Sequence, residues 1–209
     1  VGDNTDVTFS IEGRKWVKGD GTHNMPDGEI FTAPNEKTTE GHIEFDLATI
    51  RGGREIAGVK LEFSKGKVVK ASAVKNNDYL QSMLNTDEGA RYLGELGIGL
   101  NEGITKPVRN ILFDEKLFGT IHLAIGSAYP ECGGVNKSAV HWDFIKDMKN
   151  GKALNETICF RGKRKNGGYA GKYFSNNNVD QGSFVLERPG NSPTLDFLIQ
   201  RLIEKEQEL

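Results

Sequence analysis

Cysteine is scarce in this sequence, which limits the chemistry that the chain can support. Only two cysteines, Cys132 and Cys159, occur among 209 residues, and they form no closely spaced pair of the kind that binds zinc. Two free thiols are typical of a protein from the reducing cytosol, and no sequence feature supports a disulfide. We therefore expect a cytoplasmic protein in which any metal is bound by nitrogen and oxygen atoms.

Long apolar runs and a strong excess of one charge are also missing. The longest apolar runs fall far short of a membrane span, and no segment has the pattern of a signal peptide. The net charge is −2, with basic and acidic residues interspersed, so the sequence has no electrostatic footprint for nucleic acid or an anionic membrane. Charged residues make up 27% and hydrophobic residues 36% of the chain, which is typical of a soluble globular protein without such partners.

Glycine, by contrast, is abundant, and most of the 26 glycines lie between short strand-like runs. Alternation of polar and apolar residues predicts half-buried strands, and the segment Ser64-Lys65-Gly66 between two such runs predicts a hairpin. Strands are predicted at 6–11, 29–32, 42–47, 59–63, 67–71, 96–100, 121–125 and 140–145. The predicted fold class is therefore α+β, a strand-rich mixed-sheet domain with few helices.

Helices are predicted in two places. Asp78 is a good N-cap for a short helix that ends near Leu84. Near the C-terminus, Ser192 as the N-cap and Pro193 in the first turn predict a second helix. Its apolar stripe consists of Leu195, Leu198, Ile199, Leu202 and Ile203. This spacing predicts an amphipathic helix that packs on the body of the protein or on a partner.

The character of the sequence changes after about residue 150. The segment 166–181 is rich in glycine and asparagine, which predicts a loop or an irregular hairpin. We therefore divide the chain into a main domain at 1–150 and an extension at 151–209 that ends in the C-terminal helix.

The strongest functional signal is His141-Trp142-Asp143. Residues two apart on a strand project from the same face, so His141 and Asp143 can reach one metal ion. Four further carboxylates or imidazoles lie in glycine-rich or apolar settings, namely Glu29, Glu95, Glu115 and His122. Neutral imidazoles together with several carboxylates are the ligand set of a hydrolytic dinuclear metal site.

Each of these residues also has a purely structural interpretation. Taken alone, His122 in an apolar strand is most simply a core histidine with a hydrogen-bond partner, and Glu95 is a loop or helix-end carboxylate. A hydrogen bond between His141 and Asp143 would explain that pair. The charged segment 114–116 is most simply a solvated turn. The combination of the motifs, rather than any one residue, favours a metal site.

The order of the motifs resembles that of a known family. Residues from about 6 to 148 resemble the catalytic half of the aminopeptidase T, aminopeptidase S and PepS family of metallo-aminopeptidases. The matching segments are Asn24-Met25-Pro26-Asp27-Gly28-Glu29-Ile30-Phe31-Thr32-Ala33-Pro34, Leu93-Gly94-Glu95, Phe113-Asp114-Glu115-Lys116, Gly119-Thr120-Ile121-His122-Leu123-Ala124, Tyr129-Pro130-Glu131 and His141-Trp142-Asp143. The resemblance implies a metallo-aminopeptidase-like catalytic domain at 1–150. The family's N-terminal domain has no counterpart in this sequence, and no motif of the extension at 151–209 is matched.

The resemblance also implies roles for individual residues. The implied ligands of two divalent ions are Glu29, Glu95, His122, His141 and Asp143. Tyr129 lies seven residues after His122 and is expected beside the ions. Zinc or cobalt would suit the histidines, and magnesium or manganese would suit a more oxygen-rich position, so the identity of the ions stays open.

The expected reaction is the release of N-terminal residues from peptides by a metal-activated water. Glu29 and Glu115 are the candidates for the general base, and the sequence does not rank them. Tyr129 is the candidate hydrogen-bond donor to the oxyanion. A peptide is the expected substrate, while a homodimer and activity without the N-terminal domain stay open.

Two other functions remain open at this point. One is a catalytically silent structural or interaction module that keeps the fold. The other is a dinuclear-metal hydrolase of a different amide or ester substrate, because the residues define the chemistry better than the substrate.

Overall fold

The computed structural model describes residues 1, 2 and 4–148, together with the backbone of 159–165, 168–174 and 180–186. The chain divides into two compact units, Val1–Gly151 and Lys152–Leu209. The strands of the first unit are β1 (Asp6–Thr8), β2 (Val17–Gly19), β3 (Glu29–Thr32), β4 (Glu40–Glu44), β5 (Thr49–Arg51), β6 (Arg54–Ile56), β7 (Lys60–Ser64), β8 (Lys67–Ser72), β9 (Leu93–Gly99), β10 (Thr120–Gly126) and β11 (His141–Asp147). Its helices are α1 (Asn77–Leu84) and α2 (Ile111–Asp114), with short 3-10 turns at Gly89–Arg91 and Pro130–Cys132.

The larger sheet of the first unit has five antiparallel strands in the order β11-β10-β9-β3-β2. Residues that lie opposite each other on paired strands project from the same face. Ala124 of β10 lies opposite both Asp143 of β11 and Glu95 of β9. Glu29 of β3 lies opposite Gly99 of β9. Every second residue on four neighbouring strands therefore contributes to one shared face.

The other face of this sheet is apolar and buried. Leu123 and Ile125 of β10 and Trp142 and Phe144 of β11 belong to one hydrophobic cluster. The same cluster includes residues from α1 and from a second sheet with the order β1-β4-β7-β8, namely Ile43, Leu61, Phe63, Val68, Leu80 and Leu84, together with Phe45 directly after β4. The two sheets thus pack through their apolar faces, which leaves the opposite face of the five-stranded sheet for polar residues.

The predicted strands of the first unit are confirmed, and so is the strand-rich α+β class. The observed strand boundaries differ from the predicted ones by a few residues, because a sequence pattern defines the ends of an element less well than its middle. The short helix begins at Asn77, so Asn76 with φ of 57° occupies the cap position instead of Asp78. Strands β2, β5 and β6 and helix α2, each of three or four residues, are not predicted from the sequence.

The described part of the second unit is a three-stranded antiparallel sheet in the order β12-β13-β14. These strands are β12 (Cys159–Lys165), β13 (Gly168–Phe174) and β14 (Asp180–Leu186). The prediction of a loop or irregular hairpin at 166–181 is confirmed as a hairpin, because β13 pairs antiparallel with β14 and the register shifts between Tyr173 and Phe174. The predicted C-terminal helix from Ser192 lies outside the described residues. No helix within the described ranges is long and apolar enough to cross a membrane.

Candidate metal centre

The polar face of the five-stranded sheet brings all five predicted ligands together. They are Glu29 on β3, Glu95 on β9, His122 on β10, and His141 and Asp143 on β11. Because the strands are antiparallel and in register, these side chains lie in neighbouring positions although their residues are up to 114 apart in sequence (143 − 29). The prediction that His141 and Asp143 share one face is confirmed, since they lie opposite Gly126 and Ala124.

Gly97 of β9 makes room for the His122 ring. Gly97 lies opposite His122, and a Cβ atom at Gly97 would lie 1.9 Å from Nε2 of that ring. Any other residue at this position would therefore push the imidazole away. In the space left by Gly97, Nε2 of His122 lies 3.4 Å from Oε2 of Glu29 and 3.4 Å from Oε1 of Glu95.

The potential ligand atoms form two overlapping clusters. We call Glu29, Glu95 and His122 the Glu29 group, and we call Glu95, His141 and Asp143 the His141 group. Within each group, one ligand atom from each residue lies within 4.8 Å of the others. Glu95 belongs to both, because its Oε1 faces His122 and its Oε2 lies 3.1 Å from Nε2 of His141. One carboxylate therefore offers one oxygen to each group, which is the arrangement of a bridging ligand.

Buried atoms in both groups lack the partners that their burial requires. Oε2 of Glu29 and Oδ1 of Asp143 are buried and have no hydrogen-bond partner among the described residues. Each lies near an imidazole nitrogen, at 3.4 Å from His122 and 3.7 Å from His141, respectively. A buried carboxylate oxygen without a partner is costly. A divalent cation would satisfy both atoms, and carboxylate oxygens with imidazole nitrogens suit zinc or cobalt, so the residues fit a metal ion.

The pKa values of the clustered side chains indicate that the carboxylates favour positive charge beside them. Burial raises the pKa of Glu29 to about 7. Burial also disfavours the charge on Glu95, but hydrogen bonds from His122 and His141 outweigh it and lower the pKa of Glu95 to about 2. Against the effect of their burial, Glu95 and the neighbouring carboxylates raise the pKa of both histidines to about 9. Imidazolium protons thus balance the carboxylates, and a bound metal ion would displace them.

Backbone contacts orient His141 more firmly than His122. Nδ1 of His141 donates to the carbonyl oxygen of Ser127 at 2.8 Å, which directs Nε2 towards Glu95. Arg51 donates to the carbonyl oxygen of His141 at 2.7 Å and so holds the start of β11. A histidine whose second nitrogen binds a carbonyl oxygen is typical of metal ligands. Nδ1 of His122, by contrast, is buried without a hydrogen-bond partner in the part of the chain that the structure describes.

The segment 114–116 is not the solvated turn that its composition suggested. Asp114, Glu115 and Lys116 are all buried. The Asp114 side chain accepts a hydrogen bond from the backbone N–H of Val108 at 2.7 Å, and the carbonyl oxygen of Lys116 accepts one from Asn101 at 2.9 Å. These bonds fold the segment inward, so its three charged side chains lie within the protein instead of in solvent.

Lys116 joins two carboxylates of the site and was missed by the sequence analysis. Its ammonium donates to Oε1 of Glu115 and lies 3.1 Å from Oε1 of Glu29. Burial favours the neutral amine, but Glu115 and Glu29 outweigh burial and raise the pKa of Lys116. Burial also raises the pKa of Glu115, with a further contribution from the charge of Asp143. No local pattern marks this lysine for burial, because a lysine next to a glutamate has the composition of a surface turn.

Tyr129 lies beside the His141 group. Its ring packs edge-on to the His141 ring with 5.0 Å between the ring centres, and 5.1 Å separates it from the ring of Phe31. Burial and the nearby carboxylates raise the pKa of Tyr129 above its ordinary value. The phenol therefore keeps its proton at neutral pH and can donate a hydrogen bond.

Comparison with known proteins identifies the family to which this chain belongs. The profile of the family described as thermophilic metalloprotease (M29) matches residues 1–157. The chain belongs to the M29 family. The family resemblance expected from the motifs is therefore confirmed, and it extends over the whole described part of the first unit.

Relatives of this M29 chain carry aminopeptidase names. Aminopeptidase AmpS of Bacillus subtilis (strain 168) is 35% identical over 170 residues, which cover 70% of this chain and 40% of that protein. Aminopeptidase T of Thermus thermophilus is 33% identical over 138 residues, covering 58% and 33%, respectively. The solved structure of wild-type AmpT from Thermus thermophilus aligns with a TM-score of 0.62 and 27% identity over 92% of this chain and 48% of that one. The M29 chain therefore spans less than half the length of each of these relatives.

Proposed function

We propose that this chain provides the metal centre of an aminopeptidase. In this proposal the Glu29 group and the His141 group would each hold one divalent ion, and Glu95 would contribute one carboxylate oxygen to each group. The observation that carries the proposal is the pair of overlapping ligand clusters that share Glu95 on one face of the sheet. Membership of a metalloprotease family and the aminopeptidase names of the relatives agree with this chemistry.

Zinc or cobalt suits this centre best, because each group contributes one imidazole nitrogen and two carboxylates. When bound, such ions polarise a carbonyl oxygen and activate water for attack. The chain's own residues then have to orient the substrate, accept a proton and stabilise the developing negative charge.

Glu115 is the better of the two candidates for the general base. Glu29 is committed to the metal centre through Oε2, whereas Glu115 belongs to neither ligand group. Glu115 nevertheless lies at the site, because Lys116 contacts both carboxylates. Burial and the charge of Asp143 raise the pKa of Glu115, which favours uptake of a proton from water and its transfer to the leaving amine.

In this proposal Tyr129 stabilises the oxyanion that forms from the scissile carbonyl. Its protonated hydroxyl can donate one hydrogen bond, and its ring packs against His141 at the edge of the centre. The side chain of Tyr129 is also partly exposed, so a substrate can reach it. Peptides with a free N-terminus are the proposed substrates, with the amino group bound by a carboxylate or an ion of the centre.

Metal analysis combined with a substrate panel tests the proposal. Dialysis of the purified chain against Zn²⁺ or Co²⁺ should leave about two ions per chain. Aminoacyl amides should be hydrolysed in preference to other amides and esters. A chain that binds no ion contradicts the metal centre. Preference for another amide or ester would instead indicate a different hydrolase, and two bound ions without any hydrolysis would favour the silent module.

A matched pair of carboxylate variants tests the role of Glu115. Glu115→Gln should keep both ions and lose turnover, because the amide cannot accept the proton. Glu131→Gln removes an exposed carboxylate two residues after Tyr129 and should change neither the number of bound ions nor the turnover. Loss of an ion from a folded Glu115→Gln variant would make Glu115 a ligand and leave Glu29 as the candidate base.

A further inference from the structure

The two ligand groups differ in the fixed positive charge beside them. Nζ of Lys116 lies 3.1 Å from Oε1 of Glu29 and contacts Glu115. Among the described residues, these two carboxylates are the only ion-pair partners of Lys116, and its ammonium makes no ion pair with Glu95 or Asp143. The ammonium therefore lies against the Glu29 group alone.

This charge cannot move into solvent. The Lys116 side chain is fully buried, and both of its carboxylate partners are also largely buried. An ammonium in such a position stays only because the carboxylates pair with it. Lys116 is thus a permanent part of the electrostatic environment of Glu29.

A divalent ion at the Glu29 group has to share one carboxylate with this ammonium. Lys116 occupies Oε1 of Glu29, which leaves Oε2 for the ion. Like charges on the two oxygens of one carboxylate repel each other in a buried site with little screening. Glu115 offsets part of the repulsion because its carboxylate pairs with Lys116, whereas the ammonium of Lys116 contacts Glu29 directly.

An opposite effect also exists, because Lys116 holds the Glu29 side chain in one orientation. A carboxylate that is already ordered loses less conformational entropy when it binds an ion. The repulsion between an ammonium and a doubly charged ion a few ångströms apart is several times larger than this ordering contribution. The net effect of Lys116 is therefore to weaken the binding of an ion at the Glu29 group.

Solvent access differs in the same direction. The His122 side chain in the Glu29 group is 1% exposed, whereas the His141 side chain is 28% exposed. An ion from solvent therefore reaches the His141 group more easily, and the Glu29 group lies deeper.

We propose that Lys116 makes the two ion positions unequal, so that the His141 group binds its ion first and tightly while the Glu29 group holds a weaker, exchangeable ion. Lys116 acts on the ion through Glu29 and is a positioning residue, since it contacts carboxylates of the centre and not the substrate. The inference rests on the proposed dinuclear centre and adds an order of filling to it.

Titration of the metal-free chain with Co²⁺ at fixed pH, followed by visible absorption and equilibrium dialysis, tests the order of filling. The wild-type chain should bind two ions with dissociation constants that differ at least tenfold. His141→Ala should abolish binding of the tighter ion, and His122→Ala should abolish binding of the weaker ion. The reverse assignment, or two equal constants, overturns the inference without any variant of Lys116.

Neutral variants of Lys116 test the cause. In Lys116→Met the weaker constant should tighten at least tenfold, while the tighter constant changes less than threefold. Lys116→Gln keeps a hydrogen-bond donor without the charge and should give the same direction if the methionine variant fails to fold. Lys116→Arg keeps the charge and should preserve the difference between the two dissociation constants.

Lys146→Met is the matched control, because Lys146 is also buried and pairs with a carboxylate, Asp46, that belongs to neither ligand group. It should leave both constants unchanged. If the more weakly bound ion binds no more tightly in the neutral Lys116 variants, the inference is overturned. Two bound ions in those variants would still support the proposed centre. A wild-type chain that binds no ion overturns the proposed function itself.

Discussion

The two faces of the five-stranded sheet are made by the same strands but follow opposite physical rules. On β11, Trp142 and Phe144 face the hydrophobic core, whereas His141 and Asp143 face the proposed metal centre. Each buried apolar side chain stabilises the fold by about 1.5–3 kcal/mol. On the polar face, burial raises the pKa of Asp143, which means that the charged carboxylate is held there at a cost. Residues that stabilise the fold and residues that could bind metal therefore alternate along a single strand.

The largest expected effect comes from the polar face of β11. His141→Ala and Asp143→Asn should each reduce turnover by more than about a hundredfold, because loss of a ligand exceeds the loss of a supporting contact. The melting temperature of the metal-free Asp143→Asn chain should not fall, since the change removes a buried charge. Steady-state kinetics and thermal unfolding measure the two quantities. Near wild-type turnover in either folded variant would mean that the pair is structural.

The next largest effect should come from the apolar face of the same strand. Phe144 is completely buried and packs against Trp142 and Phe45, so Phe144→Ala should lower the free energy of unfolding by about 3–5 kcal/mol. Urea unfolding of the metal-free protein measures this loss. The number of ions per folded chain should stay the same, and its reduction would show that the two faces are not independent.

A smaller and more local effect is expected at Gly97. The methyl group of Gly97→Ala would collide with the His122 ring, so the variant should lose the ion of the Glu29 group and keep that of the His141 group. Gly103→Ala is the control, because its methyl group would meet only the end of the flexible Asn101 side chain among the described atoms near it, at 3.1 Å. Elemental analysis should give about one ion per chain for the first variant. Retention of both ions would show that β9 adjusts to the methyl group.

The smallest effect should appear in the pH dependence of the metal-free chain. The pKa of His122 and of His141 is about 9 in the folded state and near 6.5 when unfolded, so the folded state binds more protons between these values. Their contribution to stability is complete below pH 6.5 and is lost as the pH rises through 9. The melting temperature in the presence of a chelator should therefore fall over this window. His141→Ala should flatten the decline, and a rising melting temperature would contradict the assigned protonation.

Part of this arrangement is readable in the sequence, and the reasons are physical. His141 and Asp143 form a local pattern, because the two-residue period of a strand alone places them on one face. Short apolar runs likewise predict the buried strands β9, β10 and β11. The convergence of distant residues depends on the strand order, which no local pattern contains. For the other ligands the family motifs supplied what periodicity did not.

Lys116 shows where such reasoning fails. A lysine between a glutamate and an apolar pair has the composition of a surface turn, and most such segments are solvated. Its burial depends on the backbone bond from Asn101 and on the presence of Glu29 from another strand. Both are long-range contacts, so the local sequence predicts the wrong environment.

The sharing of Glu95 restricts how this centre can change during evolution. In the proposed dinuclear centre, a substitution of His122 or His141 alters one ligand group and leaves the three donors of the other intact, so a lineage can pass through a form with a single ion. A substitution of Glu95 takes a donor from both groups at once, and no partial intermediate follows from it. Descendants that acquire new chemistry should therefore differ at the two histidines before they differ at this carboxylate.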